Sequence, residues 1–154
     1  RTFIQPTQAM REAGIRVKLN PLPDVLAGKR VIVIDDSIVR GTTSRKLVVA
    51  LREAGCTEVH MRISSPPVTH PCFYGIDTDT QDQLIAARMT LAEIQEHLKV
   101  DSLAYLSKEG MVEAAKAESG HFCSACFDGN YPIPMDQDLL ASKLMLEPTG
   151  LASH

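Results

Sequence analysis

Tryptophan is absent from this chain, and only three tyrosines and four phenylalanines stand among its 154 residues. Any core must therefore be aliphatic. A strong excess of one charge is also absent. Sixteen Lys and Arg against nineteen Asp and Glu leave a net charge of −3, which gives no reason to expect a nucleic acid or an anionic membrane as partner. No apolar run reaches the length that spans a bilayer, and no charged-then-apolar leader opens the chain. Internal repeats and low-complexity tracts are missing too. Four cysteines in this context do not read as a disulfide framework. Reduced cysteines and the lack of a targeting segment lead to the expectation of a cytoplasmic protein. The first residue is Arg, not Met, so the expectation is a C-terminal fragment of a longer product. At 44% hydrophobic content the chain can still bury one core.

What is present is an α/β rhythm. Residues 5–13 read as helix or loop and 16–19 as extended. Pro21 and Pro23 then break the chain ahead of 25–27. Residues 29–34 are expected to form a buried strand after a turn at Gly28. A helix follows over 43–54, with Leu47, Val48, Ala50, Leu51 and Ala54 on its apolar side and Gly55 as its stop. A second strand is expected over 58–63, ended by Ser64-Ser65-Pro66-Pro67. Short helices are expected over 80–88 and 91–98, the second with Thr90 as N-cap. A strand over 102–106 and a helix over 108–117 capped by Ser107 complete the pattern. Strands separated by helices favour a parallel sheet that binds ligands at the carboxyl ends of its strands. A possible amphipathic helix over 138–146 precedes Pro148, its apolar face expected to pack on the parent domain.

The most informative stretch is 31–43, reading VIVIDDSIVRGTT. An apolar β-branched run ends in two adjacent carboxylates, Asp35 and Asp36. A small polar turn follows, with Ser37, Ile38, Val39, Arg40, Gly41, Thr42 and Thr43, and helix-forming residues begin at Ser44. A loop that runs into a helix N-terminus binds phosphate, because the first helical N–H groups lack internal partners and the helix dipole favours an anion. The acidic pair would repel that phosphate. It suits sugar hydroxyls, or a Mg²⁺ ion carried by the ligand. The backbone amides of 39–43 and the hydroxyls of Ser37, Thr42 and Thr43 are the expected phosphate donors. A doubly wound fold can also end a strand in two acids that bind only water or a helix N-terminus.

The cysteines divide by context. Cys123 and Cys126 form a C-x-x-C pair, followed by a turn at Asp128-Gly129-Asn130. Cys72 sits in a loop beside Pro71, and Cys56 falls at a helix end where a small apolar residue would serve. C-x-x-C thiolates can grip one soft metal centre, which a distant third sulfur can help to close. A thioredoxin-like role is disfavoured, because the pair does not open a helix after a strand. The residues alone leave zinc open, with His121 or His70 as a nitrogen ligand, although His70 reads better as structural. His60 and His97 are expected to be solvated. Met89, Met111, Met135 and Met145 are expected in packing roles.

The 31–43 stretch resembles the phosphoribosyl pyrophosphate (PRPP) binding motif of type I phosphoribosyltransferases. RTFIQPTQ at 1–8, DDSIVRGTTS, HPCFYGID at 70–77 and CSACFDGNYP at 123–132 are similar to the glutamine PRPP amidotransferase family, in the family's order. The resemblance covers about 1–132 and leaves 133–154 as a tail. It implies an α/β, parallel-sheet type I phosphoribosyltransferase fold, incomplete at its N-terminal side. It further implies that PRPP, glutamine and water give 5-phosphoribosylamine, glutamate and pyrophosphate in the first committed step of purine synthesis. Asp35 and Asp36 would contact the ribose hydroxyls and help to place Mg²⁺. Residues 1–19 would be a flexible loop closing over PRPP. In it, Arg1, Thr2, Phe3 and Ile4 help to form the pocket and the ammonia route, and Lys18 lies near its end. Cys72, Cys123 and Cys126 would match three ligands of a [4Fe–4S] cluster, with the fourth outside this chain. Ammonia would come from a glutaminase domain that this chain does not contain, purine nucleotides would be feedback inhibitors, and the parent would be a homotetramer. This fragment alone is expected to be inactive. Two other readings stay open: a nucleotide-sensing regulator on the same fold, and a stand-alone phosphoribosyltransferase with another acceptor.

Overall fold

Alternation of side chains across a strand decides how this sheet is built. In the computed structural model, which describes residues 20–76, 78, 80–116 and 122–133, β1 (Arg30–Asp35) pairs in parallel with β2 (Glu58–Ile63), and β2 with β3 (Ser102–Tyr105). The strand order is β1-β2-β3. On the inner face Val31 and Val33 stand beside Val59, Met61 and Ile63, then Leu103 and Tyr105. On the outer face Arg30 faces Glu58 and bonds it at 2.6 Å.

Helix α1 (Pro23–Leu26) precedes β1, α2 (Thr42–Glu53) joins β1 to β2, α3 (Ile85–Arg88) and α4 (Leu91–Leu98) lie between β2 and β3, and α5 (Lys108–Ala114) and α6 (Ala125–Asp128) follow β3. Val48 and Leu51 of α2 and Ile94 and Leu98 of α4 close over the inner face, and Cys56 joins the same core. The Cys56 expectation holds. Each fully buried aliphatic side chain of this kind contributes about 1.5–3 kcal/mol. The expected capping of α4 is present as a reciprocal box. The Thr90 hydroxyl accepts from the Glu93 amide at 3.4 Å, and the Glu93 carboxylate accepts from the Thr90 amide at 2.7 Å. Ser107 caps α5 by accepting from the Gly110 amide at 3.0 Å.

Three expectations need correction. The first strand is not buried on both sides: Ile32 and Ile34 are 68% and 76% exposed, because among the described residues β1 is an edge strand covered on its inner face only. The helix expected over 80–88 is broken into a 3₁₀ turn, Gln81–Gln83, and α3. Leu84 is extended between them and the Ile85 amide donates to the Val39 carbonyl at 2.9 Å, so a tertiary bond replaces the helical one. His60 is not solvated. Its side chain is 19% exposed and is held between Ser102 Oγ at 2.8 Å and Glu58 Oε2 at 2.9 Å. His97 is likewise half-buried, close against the Gly41 turn. The readings at 1–19 and on the 133–154 tail, with Met135 and Met145, lie outside the described residues, apart from Ile133.

Candidate functional site

The phosphate-type loop takes its shape from the two elements it joins. Strand β1 ends at Asp35, whose carbonyl accepts both the Ser64 amide at 2.9 Å and the Ser64 hydroxyl at 3.1 Å. That ties the acidic tip to the end of β2. The Asp36 amide donates to Asp35 Oδ1 at 3.0 Å, and the Ser37 hydroxyl donates to Asp36 Oδ1 at 3.2 Å. Burial pushes the Asp35 carboxyl above its ordinary value, the Asp36 amide pulls it back, and the Asp36 charge raises it again. Asp35 is half-buried and Asp36 exposed, so the pair offers one anchored and one open carboxylate.

The turn that follows is pinned from beneath. Ile38 is 1% exposed, and Val39 accepts the Ile85 amide. Gly41 lies at φ +79°, a left-handed conformation that disfavours side chains. A Cβ there would come within 2.8 Å of Ile85 Cδ1 and 3.5 Å of Leu98 Cδ2. The glycine is thus required twice, by its backbone angle and by the close approach of α3. Helix α2 starts at once after it, with no side-chain cap on its first amides. Uncapped amides at the start of a twelve-residue helix are what a phosphate would bond. Of the expected site residues, 35–43 are thereby brought into one loop at the carboxyl end of β1. Arg1, Thr2, Phe3, Ile4 and Lys18 lie outside the described residues.

The second cluster of chemistry is sulfur. Cys72 is half-buried, Cys123 exposed and Cys126 half-buried, all free thiols. Burial raises the Cys126 thiol, and the neighbouring Cys72 and then Cys123 add to the shift. The three sulfurs thus lie close enough to feel one another. The Tyr74 amide donates to Cys72 Sγ at 3.4 Å. The two segments that carry them are laced together: the Thr69 and His70 amides both donate to the Cys126 carbonyl at 3.0 Å, and the Thr69 hydroxyl donates to the Phe127 carbonyl at 2.9 Å. His70 packs flat against Gly129, where a Cβ would meet its ring at 2.8 Å, which supports a structural role for it. Asp128 gathers Lys108 Nζ, the Ser124 hydroxyl at 2.8 Å and the Asn130 amide at 2.9 Å. Lys108 above all holds its carboxyl well below the usual carboxylate range. The C-x-x-C pair straddles the start of α6 rather than lying in a bare loop. Thr69, Asp128 and the Ile85 buttress escaped the sequence reading, because the partners Phe127, Lys108 and Val39 are 58, 20 and 46 residues away and leave no local pattern.

Three thiols on two fastened segments, with an amide already aimed at one sulfur, form a donor set of the right softness for an iron–sulfur cluster. Among the described residues, no three His, Cys, Asp or Glu side chains yet converge on a single ion position. A cleft of about 350 Å³ is lined by His70, Phe73, Thr80, Gln81 and Tyr131, beside the Cys72 loop and the turn at Gly129.

No protein-family model matches the chain. The amidophosphoribosyltransferase of Synechocystis sp. is 75% identical over 147 residues, which are 96% of this chain and 30% of the relative. The chain aligns with amidophosphoribosyltransferases. That of Bacillus subtilis is 54% identical over 142 residues, 90% of this chain and 30% of the relative. A solved structure of the B. subtilis glutamine PRPP amidotransferase, complexed with ADP and GMP, superposes with a TM-score of 0.74 and 54% identity. It matches 90% of this chain and 31% of that one. The chain therefore spans about three tenths of the length of the amidophosphoribosyltransferases it matches, and its parallel sheet is part of their type I phosphoribosyltransferase fold. No helix among the described residues is long and apolar enough to cross a membrane.

Proposed function

We propose that the protein to which this chain belongs is an amidophosphoribosyltransferase, and that loop 35–43 is its PRPP site. The observation that carries this reading is the juxtaposition of the Asp35–Asp36 pair with the glycine-locked, uncapped start of α2. The amides at the start of α2 and the hydroxyls of Ser37, Thr42 and Thr43 bind the 5-phosphate. Asp35 and Asp36 accept hydrogen bonds from the ribose hydroxyls, and their fixed spacing from the phosphate cradle orients C1 of the sugar. Hard carboxylate oxygens beside a phosphate suit Mg²⁺, which takes one or two carboxylates and fills its shell with water and phosphate oxygens. Asp35 and Asp36 would hold the ion, which when bound would supply positive charge to the departing pyrophosphate. Ammonia is a competent nucleophile, so the residues need supply no general base; they position the sugar and stabilise charge as the bond to C1 breaks.

Three further parts belong to the same proposal. Glutamine is the ammonia source, through a glutaminase domain elsewhere in the polypeptide. Purine nucleotides regulate the enzyme, an idea supported by the ADP and GMP of the solved relative. Cys72, Cys123 and Cys126 hold a structural [4Fe–4S] cluster, completed by a fourth ligand outside this chain. The four free cysteines are consistent with a cytoplasmic protein, and the resemblance with a homotetramer. The test is calorimetric titration of the full-length protein with PRPP, with and without Mg²⁺, beside Asp36→Asn. Binding that needs Mg²⁺ and weakens at least about tenfold in the variant, the effect of losing one charge-assisted hydrogen bond, supports the proposal. Equal binding by both proteins overturns it.

A further inference from the structure

The Cys72 loop and the C-x-x-C segment are 51 to 54 residues apart in the chain, yet they stand side by side, joined by protein contacts alone. One side chain touches both in several ways. Tyr131 follows the C-x-x-C pair, and its hydroxyl donates to the Pro71 carbonyl, immediately before Cys72, at 2.7 Å. Its ring meets Phe73, immediately after Cys72, edge-on at 5.2 Å, and Tyr74 at 6.2 Å. Tyr74 in turn receives the Ile133 amide on its hydroxyl at 3.2 Å, and its own amide points at Cys72 Sγ. Residues 71, 73 and 74 are thus all gripped from residue 131, and Cys72 is the residue they flank. Edge-to-face ring pairs and a hydrogen bond to a carbonyl need no metal.

We propose that Tyr131 is a positioning residue for the sulfur site, holding the Cys72 loop against the C-x-x-C segment through contacts that involve no metal. This rests on reading Cys72, Cys123 and Cys126 as cluster ligands. The frame sets which segments face each other. Ring packing and hydroxyl contribute separately, so phenylalanine keeps part of the function and leucine loses both.

The test uses full-length protein with Tyr131→Phe and Tyr131→Leu. Iron and sulfide per chain are measured, with the rate at which a chelator bleaches the visible cluster absorption, and the thermal midpoint of the cluster-free proteins serves as a control for folding. The expected result is bleaching about fivefold faster in Tyr131→Phe, the worth of one net hydrogen bond. At least about tenfold is expected in Tyr131→Leu, which loses the two ring contacts as well. Bleaching rates equal to the unaltered protein in both variants overturn the proposal, as do losses that follow the thermal midpoint alone with no recovery by phenylalanine. A second measurement does not depend on iron. In cluster-free Cys123→Ser protein, the thiol-bridging fluorophore dibromobimane links Cys72 to Cys126 where the segments are held together. Fast linking that slows in Tyr131→Leu supports the proposal, while equal linking, or none in the parent, overturns it. Unaltered protein that carries no iron, together with fast linking in Cys123→Ser that slows when Tyr131→Leu is added, would sink the cluster reading and leave the positioning role standing.

Discussion

Replacing Gly41 by alanine tests the loop at its tightest point. Two costs add. A residue with a Cβ at φ +79° sits in left-handed backbone at about 1–2 kcal/mol. The new Cβ also lies 2.8 Å from Ile85 Cδ1, and Ile85 is 1% exposed in a packed core with little room to turn aside. Overpacking of that kind costs about 1–3 kcal/mol. The sum is roughly 2–5 kcal/mol, and the loop can escape it only by moving the amides that face the phosphate. The strain is then read as lost PRPP affinity, by a factor of about 30 or more, since each 1.4 kcal/mol is tenfold. Isothermal titration of full-length Gly41→Ala with PRPP and Mg²⁺ measures it. The companion change is Ile85→Val, which deletes the clashing Cδ1 and by itself costs about 0.5–1.5 kcal/mol. The double variant should recover the steric part and keep the backbone part, a coupling of about 1–3 kcal/mol between two touching residues. Affinity within twofold of the parent in Gly41→Ala, or no recovery in the double variant, would refute the reasoning.

Asp101 links β2 to α2, its Oδ2 accepting the Val59 amide at 2.6 Å and Arg52 Nη2 at 2.5 Å. The Val59 amide first, then Arg52, hold its carboxyl below the ordinary 3.8. An acid depressed in this way stabilises the fold fully above the unfolded value and loses that contribution as the pH falls through the folded one. Asp101→Asn should therefore lower stability by on the order of 1 kcal/mol near neutrality, after allowance for solvent screening. The gap from the parent should narrow below about pH 4, as acid titrations of urea midpoints would show; a constant gap would contradict it. Thr90→Ala removes the α4 N-cap and should cost about 1 kcal/mol, seen as faster amide exchange in 91–98 but not in β2. Met61→Ala empties a position that is fully buried on the central strand and should cost about 2–5 kcal/mol in thermal or denaturant melts.

Much of this architecture is written locally. Glu58–Ile63 falls where the alternating pattern puts it, and Thr90 and Ser107 cap their helices as their side chains dictate. The shape of loop 35–43 was legible because its strand end, its turn at Gly41 and its helix start stand in one short run of sequence. What was not legible is what a second segment decides. The 80–88 helix breaks because the Ile85 amide is claimed by Val39. His60 is drawn in because β3 brings Ser102 beside it. The sulfur frame rests on Thr69, Tyr131 and Asp128, which look like ordinary turn residues until the two cysteine segments meet. The exposure of Ile32 and Ile34 belongs to the same class: their apolar character reads as burial, and only the packing of α2 and α4 shows which face is covered.

The measurement that bears most directly on the central claim is a crystal structure of the full-length protein grown with PRPP and Mg²⁺. The account predicts the 5-phosphate within hydrogen-bond distance of the amides that begin α2, with the ribose hydroxyls on Asp35 and Asp36. PRPP bound elsewhere in the molecule, with this loop in contact with solvent alone, would contradict it.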